Sequence, residues 1–270
     1  MMPPIIRTTF RNRQECPPGS TDMSRRTALT IAVTAALLTA LATSAIVGQG
    51  RGGGGFSQPD PIAFDDHAGW QSLFDGQSLK DWDGSTEVWR VENGAIVGTS
   101  TTGTMYLIWK GGEPANFELK AEMKLEGNNL NSGIQYRSVR TGQTGAAALK
   151  GYQADFDFPG RYTGQLYEQG TPRGIIAWRG QVVRAEQGKR PRLLSVLGDP
   201  DELKTLVKTG DWNQVHIIAR GNTLIHMING RTMSIFIDDD PTMASSKGVI
   251  ALQIENAGKV SFRNLWLKNL

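Results

Sequence analysis

The chain has 270 residues, of which 39% are hydrophobic and 20% are charged, and its formal net charge is +3. This composition is globular and excludes a disordered or collagen-like chain. Residues 1–45 hold five of the 29 basic and two of the 26 acidic residues, so the rest carries 24 of each sign and is formally neutral. A neutral chain argues against nucleic acid as a partner.

Residues 28–47 form an uncharged Ala/Leu/Thr-rich run that follows Arg25 and Arg26 and contains small residues near its end. This order predicts an N-terminal extension with a signal peptide over 1–45, and therefore a periplasmic or secreted protein with no membrane contact after cleavage. The paired arginines resemble a twin-arginine signal, but Ala28 stands where Phe is usual, so the Sec route stays open. A retained membrane anchor is the alternative.

The one cysteine, Cys16, lies in this extension, so the exported part would have neither disulfides nor a nucleophilic thiol. Residues 46–61 are rich in Gly and Pro and predict a linker. The folded domain is therefore expected over residues 62–270.

Beyond the linker the dominant hydrophobic period is two, which indicates half-buried antiparallel strands. Residues 117–126 alternate most regularly, and their Glu and Lys side chains predict a solvated second face. The other predicted strands are 89–92, 95–97, 106–109, 133–139, 152–158, 164–168, 215–220, 223–228, 232–237, 249–254 and 260–268.

Turn and helix signals complete the predicted fold. Asn93-Gly94 and Asn229-Gly230 separate strand-like runs and predict hairpins. One short helix is expected over 201–207 with Asp199 as its N-cap. Residues 184–192 predict a solvated basic loop. Many short strands without βαβ alternation favour an all-β, two-sheet antiparallel β-sandwich of the jelly-roll kind.

The strand 152–158 carries an unusual polar face. Tyr152, Ala154, Phe156 and Phe158 alternate with Gln153, Asp155 and Asp157. Neighbouring carboxylates can act as acid and base or bind a cation together. A solvated sheet edge is the alternative.

Other candidate site residues lie nearby in sequence. Arg137 is expected to share a face with Gln135, although a surface salt bridge would also account for it. Trp178 lies in a loop-like stretch after Tyr167 and Glu168, where an exposed aromatic ring could stack on a sugar. No metal-ligand spacing such as H-E-x-x-H occurs in the sequence, so no metal site is predicted.

Several motifs, in this order, resemble the 3-keto-disaccharide hydrolase domain family over residues 69–270. They are Leu73-Phe74-Asp75-Gly76, Trp89-Arg90-Val91-Glu92-Asn93-Gly94, Asn131-Ser132-Gly133-Ile134 with Arg137, Gly210-Asp211-Trp212-Asn213, Asn229-Gly230 and Phe262-Arg263-Asn264. The resemblance implies a concanavalin A-like jelly roll and an exported enzyme that acts on 3-keto-glycosides. A C3 ketone acidifies the C2 proton, so a base forms an enolate, the C1 substituent leaves, and water adds afterwards.

Matched to the family's Glu-x-Gln strand, the resemblance implies Asp155 or Asp157 as the base, with Gln153 positioning the sugar. Arg137 would stabilise the enolate, and Glu168 or Tyr167 would protonate the leaving group. The resemblance leaves open whether a divalent metal ion shares the enolate role.

Two positions depart from the family pattern. Gly151 stands where the strand motif begins with Glu, and Asn256 or Glu255 occupies the region in which many members have a His. A non-catalytic carbohydrate-binding jelly roll is therefore the second hypothesis, and a structural module of an exported assembly is the third.

Overall fold

The structure, a computed structural model, describes residues 63–270. The predicted signal peptide, the linker and Cys16 lie outside the described residues. Within 63–270, no helix is both long enough and apolar enough to cross a membrane.

The described part consists of strands, one short helix and a 3-10 turn at Gly145–Ala148. The helix is α1 (Pro200–Lys204). The strands are β1 (Gln71–Ser72), β2 (Trp82–Asp83), β3 (Trp89–Glu92), β4 (Ala95–Ser100), β5 (Thr104–Trp109), β6 (Phe117–Glu126), β7 (Asn131–Arg140), β8 (Leu149–Asp157), β9 (Leu166–Gln169), β10 (Gly174–Ala177), β11 (Gln181–Glu186), β12 (Arg192–Val196), β13 (Asn213–Arg220), β14 (Thr223–Ile228), β15 (Arg231–Asp239), β16 (Val249–Glu255) and β17 (Gly258–Asn269).

These strands form two sheets, and the predicted all-β sandwich of the jelly-roll kind with one short helix is confirmed. The ten-stranded sheet runs β12-β11-β15-β14-β13-β6-β17-β4-β3, with β1 paired to β17. The seven-stranded sheet runs β10-β9-β8-β7-β16-β5-β2. The pairings are antiparallel apart from β11 with β15. Buried apolar side chains from both sheets form the core between them.

Both predicted Asn-Gly hairpins are present. Asn93 and Gly94 join β3 to β4, and Asn229 and Gly230 join β14 to β15, all four with positive φ. Two residues with positive φ match the twist of an antiparallel pair. The Asp199 carboxylate caps α1 by accepting from the backbone N–H groups of residues 201 and 202.

Two local predictions are wrong. Residues 184–192 are not one solvated loop, because β11 and β12 pair with each other there and β11 also pairs with β15. The polar face of β6 is partly covered, since the Lys120 ammonium donates to the carbonyl oxygens of Ala63, Phe64 and Asp66 at 2.8 to 3.0 Å. The segment before β1 therefore packs over this face.

Candidate active site

Strand β8 carries the polar face on which the candidate site is built. Its Tyr152, Ala154 and Phe156 point into the core, as predicted. Its opposite face carries Gln153 and Asp155. Because β8 lies between β7 and β9 rather than at a sheet edge, the solvated-edge interpretation is wrong.

A cavity of about 350 Å³ lies over this face of the seven-stranded sheet. Its polar wall contains Asn131, Gln153, Asp155, Gln165, Gln253 and Glu255. Its other lining residues are Tyr162, Tyr167, Ile175, Ala146 and Gln169. This size and mixture of polar and apolar groups fit a small polar ligand such as a sugar.

Asp155 lines this cavity and is only 6% exposed. Its Oδ1 accepts from Gln153 Nε2 at 2.6 Å, and its Oδ2 accepts from Gln165 Nε2 at 2.5 Å. Burial raises the pKa of Asp155 to about 7, and the two amide donors limit that rise. A carboxyl group that titrates near neutral pH is suited to take up and release a proton.

Gln153 and Gln135 are adjacent on the paired strands β8 and β7, and both are buried. Gln153 Nε2 donates to Asp155 and also to Gln253 Oε1, while Gln153 Oε1 accepts from Gln135 Nε2. The polar atoms of Gln153 are therefore bound to protein groups, and its amide holds Asp155 in place. Gln153 also lines the cavity, so its predicted contact with the sugar stays a prediction. Gln135 is not among the cavity-lining residues.

The carboxylate of Asp157, the other candidate base, binds the backbone of the loop formed by residues 161–163. Its Oδ1 accepts from the backbone N–H groups of Tyr162 and Thr163, both at 2.7 Å, and its Oδ2 accepts from the Arg161 N–H at 2.9 Å. It does not line the cavity. These contacts fix the loop that brings Tyr162 to the cavity, which is a structural role.

Arg137 does not join Gln135 on the polar face. The β7–β8 register shifts between Tyr136 and Val139, and Arg137 has a φ of 46°, so the alternation of faces is interrupted there. Its guanidinium donates to the carbonyl oxygens of Ala115 and Gly221 at 2.8 Å. Arg137 thus ties together loops away from the residues that line the cavity, and it forms no salt bridge within the described part of the chain.

Glu168 and Tyr167 lie on opposite faces of β9. Glu168 is 1% exposed and forms a bidentate ion pair with Arg173, which also binds Asp238. Tyr167 lines the cavity, and burial raises the pKa of its hydroxyl. Of the two candidate acids, the geometry brings Tyr167 to the cavity and leaves Glu168 in a buried ion-pair network.

Of the neighbouring residues Asn256 and Glu255, only Glu255 lines the cavity. Asn256 occupies a turn with a φ of 71° and is not among the cavity-lining residues. Glu255 lines the cavity, where its carboxylate accepts from Asn131 Nδ2 at 2.8 Å and from the Thr104 hydroxyl at 3.2 Å. The group in the region of the usual His is therefore a carboxylate.

Trp178 is 44% exposed and lies beside the cavity. Its ring centroid is 6.4 Å from that of Tyr162, which lines the cavity. An exposed ring at this position can extend the binding surface beyond the cavity mouth.

Among residues 63–270, no three His, Cys, Asp or Glu side chains are grouped closely enough to hold a metal ion. The Asp155 oxygens are bound by amides instead.

Gln165 is a cavity residue that was not predicted from the sequence. Gln165 and Tyr167 alternate with Leu166 and Glu168, so a cavity-facing pair was readable from the period of two. What no local pattern showed is that this loop and strand close over Asp155.

A family model described as a 3-keto-alpha-glucoside-1,2-lyase-like domain matches residues 69–268. No curated protein shows a significant match to the chain.

Solved structures with similarity to this chain were also found. One is a protein of Parabacteroides distasonis ATCC 8503 provisionally described as a glycosyl hydrolase, with 20% identity over 74% of this chain and 99% of that one, and a TM-score of 0.49. Another is the carbohydrate-binding module CBM66 of Bacillus subtilis, with 13% identity over 70% of this chain and 96% of that one, and a TM-score of 0.47.

Proposed function

Because the chain belongs to the 3-keto-alpha-glucoside-1,2-lyase-like family, we propose that it cleaves 3-keto-glycosides by elimination followed by hydration. The observation that carries this proposal is Asp155, a buried carboxyl group with its pKa raised to about 7, in the wall of a sugar-sized cavity. A group that only binds a sugar hydroxyl has no need of such a pKa, whereas a general base at neutral pH does.

In the proposed first step, Asp155 takes the C2 proton of the substrate. The C2–H electron pair moves toward C3, and the C3 ketone becomes an enolate. The C1–O bond then breaks as the enolate electrons form a C1–C2 double bond and regenerate the ketone. The departing oxygen requires a proton.

Tyr167 is the proposed donor of that proton. Its side chain lines the same cavity, and its raised pKa keeps the phenol protonated at neutral pH. Water then adds across C1 and C2, with the hydroxyl on C1 and a proton returned to C2. The net products are a free 3-keto sugar and the alcohol of the leaving group.

The remaining cavity groups would bind the substrate. The Glu255 carboxylate and the Asn131 amide offer an acceptor and a donor for sugar hydroxyls. Tyr162 and the exposed Trp178 would contact the leaving group at the cavity mouth. Export through the N-terminal signal remains part of this proposal, and places the enzyme with glycosides outside the cytoplasm.

The test supplies the purified chain with 3-keto-glycosides and follows release of the leaving group, with Asp155→Asn and Tyr167→Phe as variants. We expect Asp155→Asn to lose activity by at least about 10³-fold and Tyr167→Phe to slow turnover most for poor leaving groups. Gln214→Met, on strand β13 of the ten-stranded sheet, is the control and should keep full activity. Sugar binding without any turnover in the parent chain would instead support a carbohydrate-binding domain.

A further inference from the structure

A directional chain of hydrogen bonds ends on Asp155. Ser138 Oγ lies 2.9 Å from Gln135 Oε1, Gln135 Nε2 lies 2.5 Å from Gln153 Oε1, and Gln153 Nε2 lies 2.6 Å from Asp155 Oδ1. Ser138, Gln135 and Gln153 are each at most 1% exposed. Water therefore does not compete for these contacts.

The direction of the chain follows from donor and acceptor chemistry. An ionised carboxylate only accepts, so Gln153 must turn its NH₂ group toward Asp155. Its carbonyl oxygen then needs a donor, which Gln135 Nε2 supplies, and the Gln135 oxygen needs a donor in turn. The Ser138 hydroxyl has one proton, and its 2.9 Å contact with Gln135 is shorter than its 3.2 Å contact with Tyr136 O.

Gln153 is locked in this orientation. One of its amide protons goes to Asp155, the other goes to Gln253 Oε1 at 2.9 Å, and its oxygen accepts from Gln135. Turning the amide over would place oxygen against oxygen at both Asp155 and Gln253, and nitrogen against nitrogen at Gln135. Each such exchange loses a buried hydrogen bond.

Gln165, on the other oxygen of Asp155, is not locked. Its Nε2 donates to Asp155 Oδ2 at 2.5 Å, but its buried Oε1 has no hydrogen-bond partner within the described part of the chain. An amide whose oxygen has no partner loses nothing on that side when it turns over. An unsatisfied buried acceptor also calls for a functional explanation.

We propose that Asp155 takes up the proton on Oδ2, where Gln165 reverses its amide to accept it, while Ser138 and Gln135 keep Gln153 donating to Oδ1 in both protonation states. This inference rests on the proposed function in that Asp155 is the base. Ser138, Gln135 and Gln165 are positioning residues.

The transferred proton and its electron pair are both accounted for. When the C2–H bond breaks, its proton forms the Oδ2–H bond and its electron pair stays with the substrate. Gln165 Oε1 then accepts the new Oδ2–H, and Oδ1 becomes the carbonyl oxygen of the acid, which still accepts from Gln153. Release of the proton returns Gln165 to its donating orientation.

Other charged and titratable groups lie near Asp155, on its own strand and on neighbouring strands. The charges of Asp157 on β8 and Glu255 on β16 raise the pKa of Asp155. The charge of Asp155 in turn acts on the hydroxyls of Tyr106 on β5 and Tyr167 on β9 and helps to raise their pKa. These four groups influence Asp155 equally in wild type and in variants of Ser138, Gln135 or Gln165. Differences in the pKa of Asp155 among those variants therefore arise from the amide hydrogen bonds.

The direct test is NMR of the full chain, with side-chain amide signals of Gln153 and Gln165 followed while the carboxyl signal of Asp155 is titrated. We expect the Gln165 signals to change environment with the Asp155 midpoint and those of Gln153 to keep their hydrogen-bonded shifts. Equal changes in both amides, or an unchanged Gln165, would overturn the proposal. This readout needs no turnover, so it stands apart from a failure of the proposed activity.

Variants give a second readout. Gln135→Met removes the lock on Gln153, so we expect the midpoint of Asp155 to rise by about one pH unit, the equivalent of one lost hydrogen bond to the charged form. Ser138→Ala should shift it in the same direction and serves if Gln135→Met does not fold. Gln165→Met removes a partner of both protonation states and should shift the midpoint by less than half as much. Gln214→Met is the matched control, and a larger shift in Gln165→Met than in Gln135→Met contradicts the proposal.

Discussion

Gln153 packs against Gly133 so closely that a Cβ on Gly133 would lie 2.9 Å from the Gln153 Cγ and 2.6 Å from the Ala154 carbonyl oxygen. Strand β7 can therefore pack this closely against Gln153 of β8 only because position 133 has no side chain. Gly133 lies directly opposite Asp155 in the β7–β8 pair.

Gly133→Ala should displace Gln153 and disturb Asp155, the proposed base. We expect a loss of about 1–3 kcal/mol in the free energy of unfolding and, beyond that, a loss of activity per folded molecule. Gly98→Ala is the control. Gly98 and Trp89 both lie in the ten-stranded sheet, away from the cavity, and a Cβ on Gly98 would lie 2.6 Å from the Trp89 ring. This control should cost similar stability with normal activity, measured by urea unfolding and by leaving-group release. Equal activity losses in both variants would show a general packing effect.

Asp155→Asn should stabilise the protein at neutral and alkaline pH while abolishing turnover. The folded-state pKa of Asp155 is raised to about 7 from an ordinary value of 3.8, so its stabilising contribution is lost as the pH rises from about 4 to 7. The variant lacks this loss, which amounts to at most about 4 kcal/mol. The Asn amide can donate to Gln165 Oε1 once Gln165 turns over. Urea unfolding of both proteins at pH 5 and pH 8 checks this, and a less stable variant at pH 8 contradicts it.

Asp157→Asn should show that Asp157, unlike Asp155, contributes to stability and not to the chemistry. Its Oδ1 can still accept from the N–H groups of Tyr162 and Thr163, and only the contact from Arg161 is lost. We expect a stability loss of about 1 kcal/mol and activity within a few-fold of wild type. An activity loss as large as that of Asp155→Asn would return Asp157 to the chemistry.

Arg137→Met should weaken the fold without changing the chemistry. The carbonyl oxygens of Ala115 and Gly221 lose their donor, which costs at least about 2 kcal/mol. The dependence of kcat/KM on pH should stay as in wild type for the folded fraction, because Arg137 lies outside the cavity. A strong fall in kcat at constant folded fraction would argue for an enolate role.

His226 should make the fold sensitive to acid. Its Nε2 lies 2.8 Å from the Tyr136 hydroxyl in the core, and burial lowers the pKa of His226 to about 4. The unfolded chain takes up this proton near pH 6.5 and the folded chain only near pH 4, so stability falls as the pH drops through that window, by on the order of 3 kcal/mol.

The opposite pH slope of Asp155 would mask this effect, so the measurement belongs in the Asp155→Asn background. There, Tm should fall between pH 6.5 and pH 4, and adding His226→Gln should flatten the slope. A Tm that stays level across this window in Asp155→Asn would disprove the assignment.

The sequence determined the sandwich for two reasons. The buried face of each strand appears in the sequence as apolar residues at every second position, and each tight hairpin requires residues that accept positive φ. Both kinds of information are local, and the Asn-Gly turns and the apolar face of β8 appeared where they were predicted. The polar face carrying Gln153 and Asp155 was readable for the same reason.

Only the tertiary structure decided which polar residues meet. The bulge at Arg137 reverses its side chain relative to Gln135, although the sequence continues its alternation without a visible break. Asp155 and Asp157 are equivalent in the pattern, yet one faces amide side chains in a cavity and the other faces backbone N–H groups of a loop. Their surroundings depend on what neighbouring strands and loops bring to them, and burial at Asp155 raises its pKa to about 7.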